Sequence, residues 1–163
     1  MDRDGVINID KHYLYKIEDF EFTKGIFDFL KWSISNNYIL IIVTNQSGIG
    51  RGYYTHDDFE KLTNWMVDRL KQNGILISKV SYCPHTPEDL CDCRKPHSKM
   101  FLDAKEEFDI DMKSSWMIGD KESDIEAAQN AKVENTILLT NTNKPTKARY
   151  SVDSIRKLKE VFV

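Results

Sequence analysis

Apolar positions along the 163-residue chain follow two different periods. Ile39 to Val43, Ile77 to Tyr82, Trp116 to Ile118 and Thr136 to Leu139 are short apolar runs of strand length. The first and last lack polar alternation, which predicts strands buried on both faces of a parallel sheet. Between and around them apolar residues recur at helical spacing: Ile26, Phe29, Leu30 and Ile34; Phe59, Leu62, Met66 and Leu70; Ile155, Leu158 and Phe162. Strand and helix in alternation predict an α/β, doubly wound (Rossmann-like) domain, with ligands outside the carboxyl ends of the strands. No repeat, low-complexity tract or linker divides the chain, so one domain over residues 1–163 is expected.

Composition narrows the function classes. With 40% apolar and 30% charged residues the chain has an ordinary globular balance. A net charge of −3 argues against a nucleic-acid partner, although a local cationic pocket for a small anion stays open. No apolar run approaches the ~20 residues of a membrane span. Asp2, Arg3 and Asp4 stand where a signal peptide would turn apolar, so a cytoplasmic monomer is expected. Cys83, Cys91 and Cys93 are an odd number packed into eleven residues, a poor disulfide framework and a better metal site.

Four segments carry candidate chemistry. In Asp2-Arg-Asp-Gly-Val-Ile-Asn8, two carboxylates two residues apart, on a turn opened by Gly5, can divide metal binding and proton handling. Thr44-Asn-Gln-Ser-Gly-Ile-Gly-Arg-Gly52 follows a predicted strand, and its hydroxyls, amides and glycine-freed N–H groups predict a phosphate loop. It matches neither a dinucleotide fingerprint nor a Walker loop. Arg94-Lys-Pro96 places fixed cations directly after the cysteines, and Gly119-Asp-Lys-Glu-Ser-Asp124 puts Asp120 at a strand tip with Asp124 one helical turn on. Taken singly, each has an ordinary account as an acidic turn, a glycine turn, a solvated cation pair or a helix cap.

Taken in order, Asp-x-Asp-Gly, apolar-Thr, Lys and Gly-Asp-x-x-x-Asp resemble the four-motif signature of the haloacid dehalogenase superfamily of phosphatases. With Cys83-Pro-His85 and Cys91-Asp-Cys-Arg-Lys-Pro96, the pattern from Asp2 to about Leu139 looks like the D-glycero-D-manno-heptose 1,7-bisphosphate phosphatases. Their close relatives are the histidinol-phosphate phosphatases. The resemblance implies a haloacid dehalogenase-type fold without a separate cap domain, and a magnesium-dependent attack by Asp2 on a small sugar phosphate. It implies that Asp4 is general acid and base, and that Thr44 and Lys95 bind the transferring phosphoryl group. Mg2+ would be held by Asp2, the Asp4 carbonyl and Asp120. Asp124 would orient Lys95 or sit on the following helix.

Cys83, His85, Cys91 and Cys93 would form a closed Zn2+ site clamping the loop 83–93 beside the active site. By matching position, Asp10, Lys11, His12 and Tyr13 line the pocket. Asn45, Gln46 and Ser47 belong to the phosphate loop, and Arg94 and Lys121 meet the sugar or a second phosphate. Surface charge is an equal account of Lys11. Cations beyond those one phosphate needs favour a bisphosphate over histidinol phosphate. A 3′-end nucleic-acid phosphatase is disfavoured by charge, and a non-catalytic zinc-stabilised module by the intact Asp2, Asp4, Lys95 and Asp120. In this superfamily the nucleophile follows a central apolar strand, so several apolar residues are expected ahead of Met1.

Overall fold

The apolar runs become strands because helices cover both their faces. A computed structural model describes residues 1–162. Its strands are β1 (Ile41–Asn45), β2 (Lys79–Cys83), β3 (Trp116–Gly119), β4 (Asn135–Leu139) and β5 (Tyr150–Val152). The helices are α1 (Ile26–Ser35), α2 (Ser47–Gly50), α3 (His56–Gln72), α4 (Lys99–Phe108), α5 (Glu122–Asn130) and α6 (Leu158–Val161). Every strand pair is parallel, β2 on β1 and β3-β4-β5 in order. Alternate residues of one strand feed opposite layers. Ile42 and Ile118 enter one core with Phe29, Leu30, Met66 and Leu70, while Val43 and Met117 enter another with Met100, Phe101, Ala127 and Ala128. Such two-sided burial explains the absence of polar alternation.

Met1 and Asp2 join the two ladders. The Met1 amine donates to the Ile41 carbonyl at 2.9 Å, Val43 N–H donates to Met1, and Asp2 N–H donates to Ile118. This dipeptide runs between β1 and β3 and emerges at their carboxyl ends. Below it, Met1, Phe29, Tyr38, Ile41, Trp116 and Phe162 help line a largely apolar cavity of about 520 Å³.

Several boundaries differ from the periodicity. β1 begins at Ile41, since Ile39 is 53% exposed, and it runs on through Thr44 because Asn45 still pairs with Cys83. The C-terminal stretch is a 3₁₀ turn over Ile155–Lys157 followed by the single-turn α6, with Ile155 and Leu158 buried. β5 and α4 left no clear signal: three residues show no period, and α4 buries only Met100, Phe101 and Ala104 on an otherwise charged helix. Among the described residues no helix is long and apolar enough to cross a membrane, and no insertion between elements is long enough to form a cap.

Candidate active site

Asp2 emerges between β1 and β3 with its side chain buried. Its Oδ1 accepts from Arg3 N–H at 2.8 Å and lies 3.0 Å from Lys95 Nζ. Burial pushes its carboxyl above the ordinary aspartate range, against the pull of Lys95. Lys95 comes from the segment after the cysteines, 3% exposed, with Nζ also 2.5 Å from Asp124 Oδ1 and donating to the Val43 carbonyl at 2.8 Å. Burial alone would discharge it, but Asp2 and Asp124 outweigh that cost and raise its pKa.

Asp124, on the first turn of α5, is fully enclosed. Its Oδ2 accepts from the N–H groups of Asp120 and Lys121, at 3.2 and 3.1 Å, while Oδ1 holds Lys95. Asp124 thus lies on the helix and is also paired with Lys95.

Asp120 directly follows β3, close to Asp2. Ligand atoms of Asp2, Asp120 and Asp124 lie within 4.8 Å of one another. Asp120 Oδ1 is buried without a hydrogen-bond partner, and its carboxyl is pushed up to about 7 by burial first, then by nearby carboxylates. Crowded anionic oxygens with one orphaned acceptor fit a hard divalent cation. Gly5, at φ +84°, is required here, because a Cβ would run into the Asp120 carboxylate.

Asp4 sits on the turn after Asp2. Arg3, nearly fully buried, grips it through Nε and Nη2, the shortest contact 2.9 Å. Asn8 Nδ2 donates to Asp4 Oδ1 at 2.9 Å and Gln46 Nε2 donates to Oδ2 at 3.0 Å. Arg3 and Asn8 were passed over as functional in the sequence, though both stand inside its first motif.

The glycine-rich segment is organised differently from the expected nest. Thr44 is buried and its Oγ1 accepts from Gln46 Nε2 at 2.9 Å. Asn45 spans to the next segment, accepting Lys95 N–H at 3.0 Å and donating to the Lys95 carbonyl at 3.1 Å, which fixes the lysine backbone. The N–H groups of Gly50 and Gly52 are spent on the carbonyls of Pro84 and Ile49. A Cβ on Gly50 would meet the Pro84 oxygen at 2.8 Å. Gly50 allows close packing, Gly52 takes a left-handed backbone in open space at φ +72°, and the donors of both are spent within the protein.

A cavity of about 460 Å³ opens at these strand ends. Asp4, Asn45, Gln46, Ser47, Lys95 and Lys121 line it, and so do Asp10, His12, Tyr13 and Arg94. Lys121 Nζ is 3.1 Å from Asp10 Oδ2, and its pKa is raised because Asp120 and Asp10 outweigh its burial. Asp10 also accepts His12 N–H at 2.9 Å. Lys11 is a correction: its Nζ pairs with Glu21 at 3.4 Å on an exposed flank and it does not line the cavity.

Cys83 ends β2, and the following loop folds back upon it. Cys93 Sγ lies 2.8 Å from Cys83 Sγ and 3.2 Å from His85 Nδ1, and Cys91 Sγ lies 3.5 Å from Cys83 Sγ. Ligand atoms of all four residues fall within 4.8 Å of one another, and all three cysteines are unpaired thiols. Tetrahedral zinc with Zn–S bonds of ~2.3 Å demands ligand separations of about 3.8 Å, so the cluster is near the required size.

Known proteins resemble the chain in sequence and in fold. A family model described as HAD-hydrolase-like matches residues 92–159. The chain is 52% identical over 144 residues to a D-glycero-alpha-D-manno-heptose-1,7-bisphosphate 7-phosphatase of Campylobacter jejuni, covering 88% of this chain and 82% of that one. It is 48% identical over 163 residues to a D-glycero-beta-D-manno-heptose-1,7-bisphosphate 7-phosphatase of Helicobacter pylori, covering 99% and 92%. A solved D,D-heptose 1,7-bisphosphate phosphatase of B. bronchiseptica, in complex with magnesium and phosphate, superposes with a TM-score of 0.85 at 26% identity over 98% of this chain and 94% of that one.

Proposed function

Because the chain belongs to the heptose 1,7-bisphosphate 7-phosphatase family of haloacid dehalogenase-like hydrolases, and so is a phosphatase, we propose that it removes the 7-phosphate of a D-glycero-D-manno-heptose 1,7-bisphosphate. The observation that carries this reading is the meeting of Asp2, Asp4, Thr44, Lys95 and Asp120 at adjoining strand ends, beside a cavity with two further cations, Arg94 and Lys121. One phosphate does not need so many. The distal cations suit the 1-phosphate of a substrate whose 7-phosphate reacts at Asp2.

In the proposed reaction, Asp2 Oδ2, the oxygen not held by Lys95 and Arg3 N–H, attacks phosphorus in line. The bond from phosphorus to the sugar oxygen breaks as the aspartyl-phosphate bond forms, and the departing oxygen takes a proton from Asp4. Water then attacks phosphorus and gives its proton to Asp4, releasing inorganic phosphate and restoring the Asp2 carboxylate. Lys95 and the Thr44 hydroxyl bind the phosphoryl oxygens where negative charge develops. Magnesium held by Asp2, Asp120 and the Asp4 carbonyl would neutralise the repulsion between two anions.

Zinc at Cys83, His85, Cys91 and Cys93 would hold Arg94 and Lys95 in place. Three unpaired thiols suit a reducing compartment, which supports a cytoplasmic location. All these groups belong to one proposed phosphatase domain over residues 1–163. The test is turnover of heptose 1,7-bisphosphate with magnesium, comparing the chain with Asp2→Asn. An isosteric amide that is a poor nucleophile should fold normally and lose all but a trace of activity. Substantial residual turnover would show that Asp2 is not the nucleophile.

A further inference from the structure

Gln46 is expected from its position to meet the substrate phosphate, but its side chain is turned inward and is 3% exposed. Both ends of the amide are spoken for. Arg3 Nη2 donates to Oε1 at 3.2 Å and Tyr54 Oη donates to the same oxygen at 2.6 Å. Arginine offers no acceptor, so the oxygen must face it, and the amide cannot flip. Nε2 is thereby aimed the other way, at Asp4 Oδ2 at 3.0 Å and Thr44 Oγ1 at 2.9 Å.

Tyr54 is itself wedged in place. Its ring stacks on Tyr15 at a centroid distance of 5.3 Å, and its other side presses on Gly48, where any Cβ would overlap the ring. The glycine that looked like part of a phosphate nest makes room for this tyrosine. Burial raises the Tyr54 hydroxyl to about 12, so it stays a donor throughout the working range.

From this geometry we propose that Tyr54 is a positioning residue that acts through Gln46 to aim the carboxyl group of Asp4 at the leaving oxygen. The proposal rests on the reading of Asp4 as proton donor. Tyr54 Oη and Arg3 fix the amide; Arg3 reaches both Asp4 oxygens, the amide adds the second donor to Oδ2, and Asn8 adds the second to Oδ1. Without the tyrosine hydroxyl, the amide keeps one of its two orienting donors and Asp4 gains freedom. A loosely aimed acid loses part of the ~10²–10⁴-fold that positioned proton transfer supplies.

The loss should depend on how much the leaving oxygen needs a proton. Phenyl phosphate and 2,4-dinitrophenyl phosphate present the same ring and phosphoryl group, but dinitrophenolate departs without protonation. kcat/KM reports the phosphoryl-transfer step for both. Tyr54→Phe should lower kcat/KM about 10-fold on phenyl phosphate and less than about 2-fold on the dinitrophenyl ester. Gly48→Ala, which displaces the ring, should give the same asymmetry, and thermal melts of both variants report any loss of fold. Equal losses on the two esters, or none, would overturn the relay and leave Tyr54 a packing residue. Asp4→Asn, run in parallel, separates this from the underlying reading. If that variant shows the leaving-group asymmetry and Tyr54→Phe and Gly48→Ala do not, only the relay falls; if Asp4→Asn lacks it, the proton-donor role falls and takes the relay with it.

Discussion

Lys95 holds its charge where water scarcely reaches, and it does so only because two carboxylates stand 3.0 and 2.5 Å from its nitrogen. Removing one partner of a buried ion pair strands the other, at a cost of about 3–5 kcal/mol. Asp124→Ala should therefore lower unfolding free energy by roughly 3 kcal/mol in denaturant titrations, and it should slow turnover, since Lys95 loses its anchor. Gly5 is a second single-atom constraint. In Gly5→Ala the new methyl meets Asp120 and the left-handed backbone adds about 1–2 kcal/mol. The magnesium concentration for half-maximal activity should rise well above that of the parent, and an unchanged magnesium titration would show that Asp120 is not a ligand. Selectivity is also decided residue by residue. Arg94→Ala and Lys121→Ala should each cost about 1.5–3 kcal/mol of transition-state binding on a bisphosphate, and little on an aryl monophosphate. Equal losses on both would assign these cations to the reacting phosphate.

Among the elements, the loop after β2 has the least core of its own. Leu90, a residue that would ordinarily help anchor such a segment, is 91% exposed. Four convergent ligand atoms stand in for packing. Protein prepared without added metal should hold about one zinc per chain, and Cys91→Ser should lose it, with cleavage by a protease between residues 84 and 94 and a fall in activity as Lys95 loosens. Normal zinc content in that variant would remove the clamp from the account. The loop was legible because its chemistry is compositional: every cysteine of the chain lies in it or, as Cys83, at the strand end just before it. Helix α4 and strand β5 were not, because a short strand and a sparsely apolar helix acquire their faces only from the neighbours they cover.

The whole molecule is organised around two parallel ladders joined at Met1 and Asp2. Met1 bonds to Ile41 and Val43 of β1 and Asp2 to Ile118 of β3, and the apolar cavity of about 520 Å³ lies where a strand running into Met1 would pass. The Met1 amine is buried there, and desolvation first, then Lys95, lowers its pKa to about 5. Joining an apolar, β-branched segment ahead of Met1 replaces that amine with an amide and supplies ladder partners to both edges, each unmade buried hydrogen bond costing about 1–3 kcal/mol. Such an extension should raise Tm by about 2–4 °C for each kcal/mol gained and improve turnover by steadying Asp2. No change in either, alongside full activity without the extension, would show that the two ladders need no strand between them.

The sequence by itself determined the alternating architecture, the placement of chemistry at strand ends and the cysteine cluster. Those follow from local period, from motif order and from residue type, all of which are one-dimensional. What only the tertiary structure decided is which side chains share a partner. Asp2, Lys95 and Asp124 come from three distant segments and set one another's charge. Gln46, at the cavity wall, turned out to spend its amide on Arg3, Tyr54, Asp4 and Thr44, and Lys11 turned out to answer Glu21 instead of the cavity. Direction in space is fixed by burial and by competition among donors and acceptors, and spacing along a chain records neither.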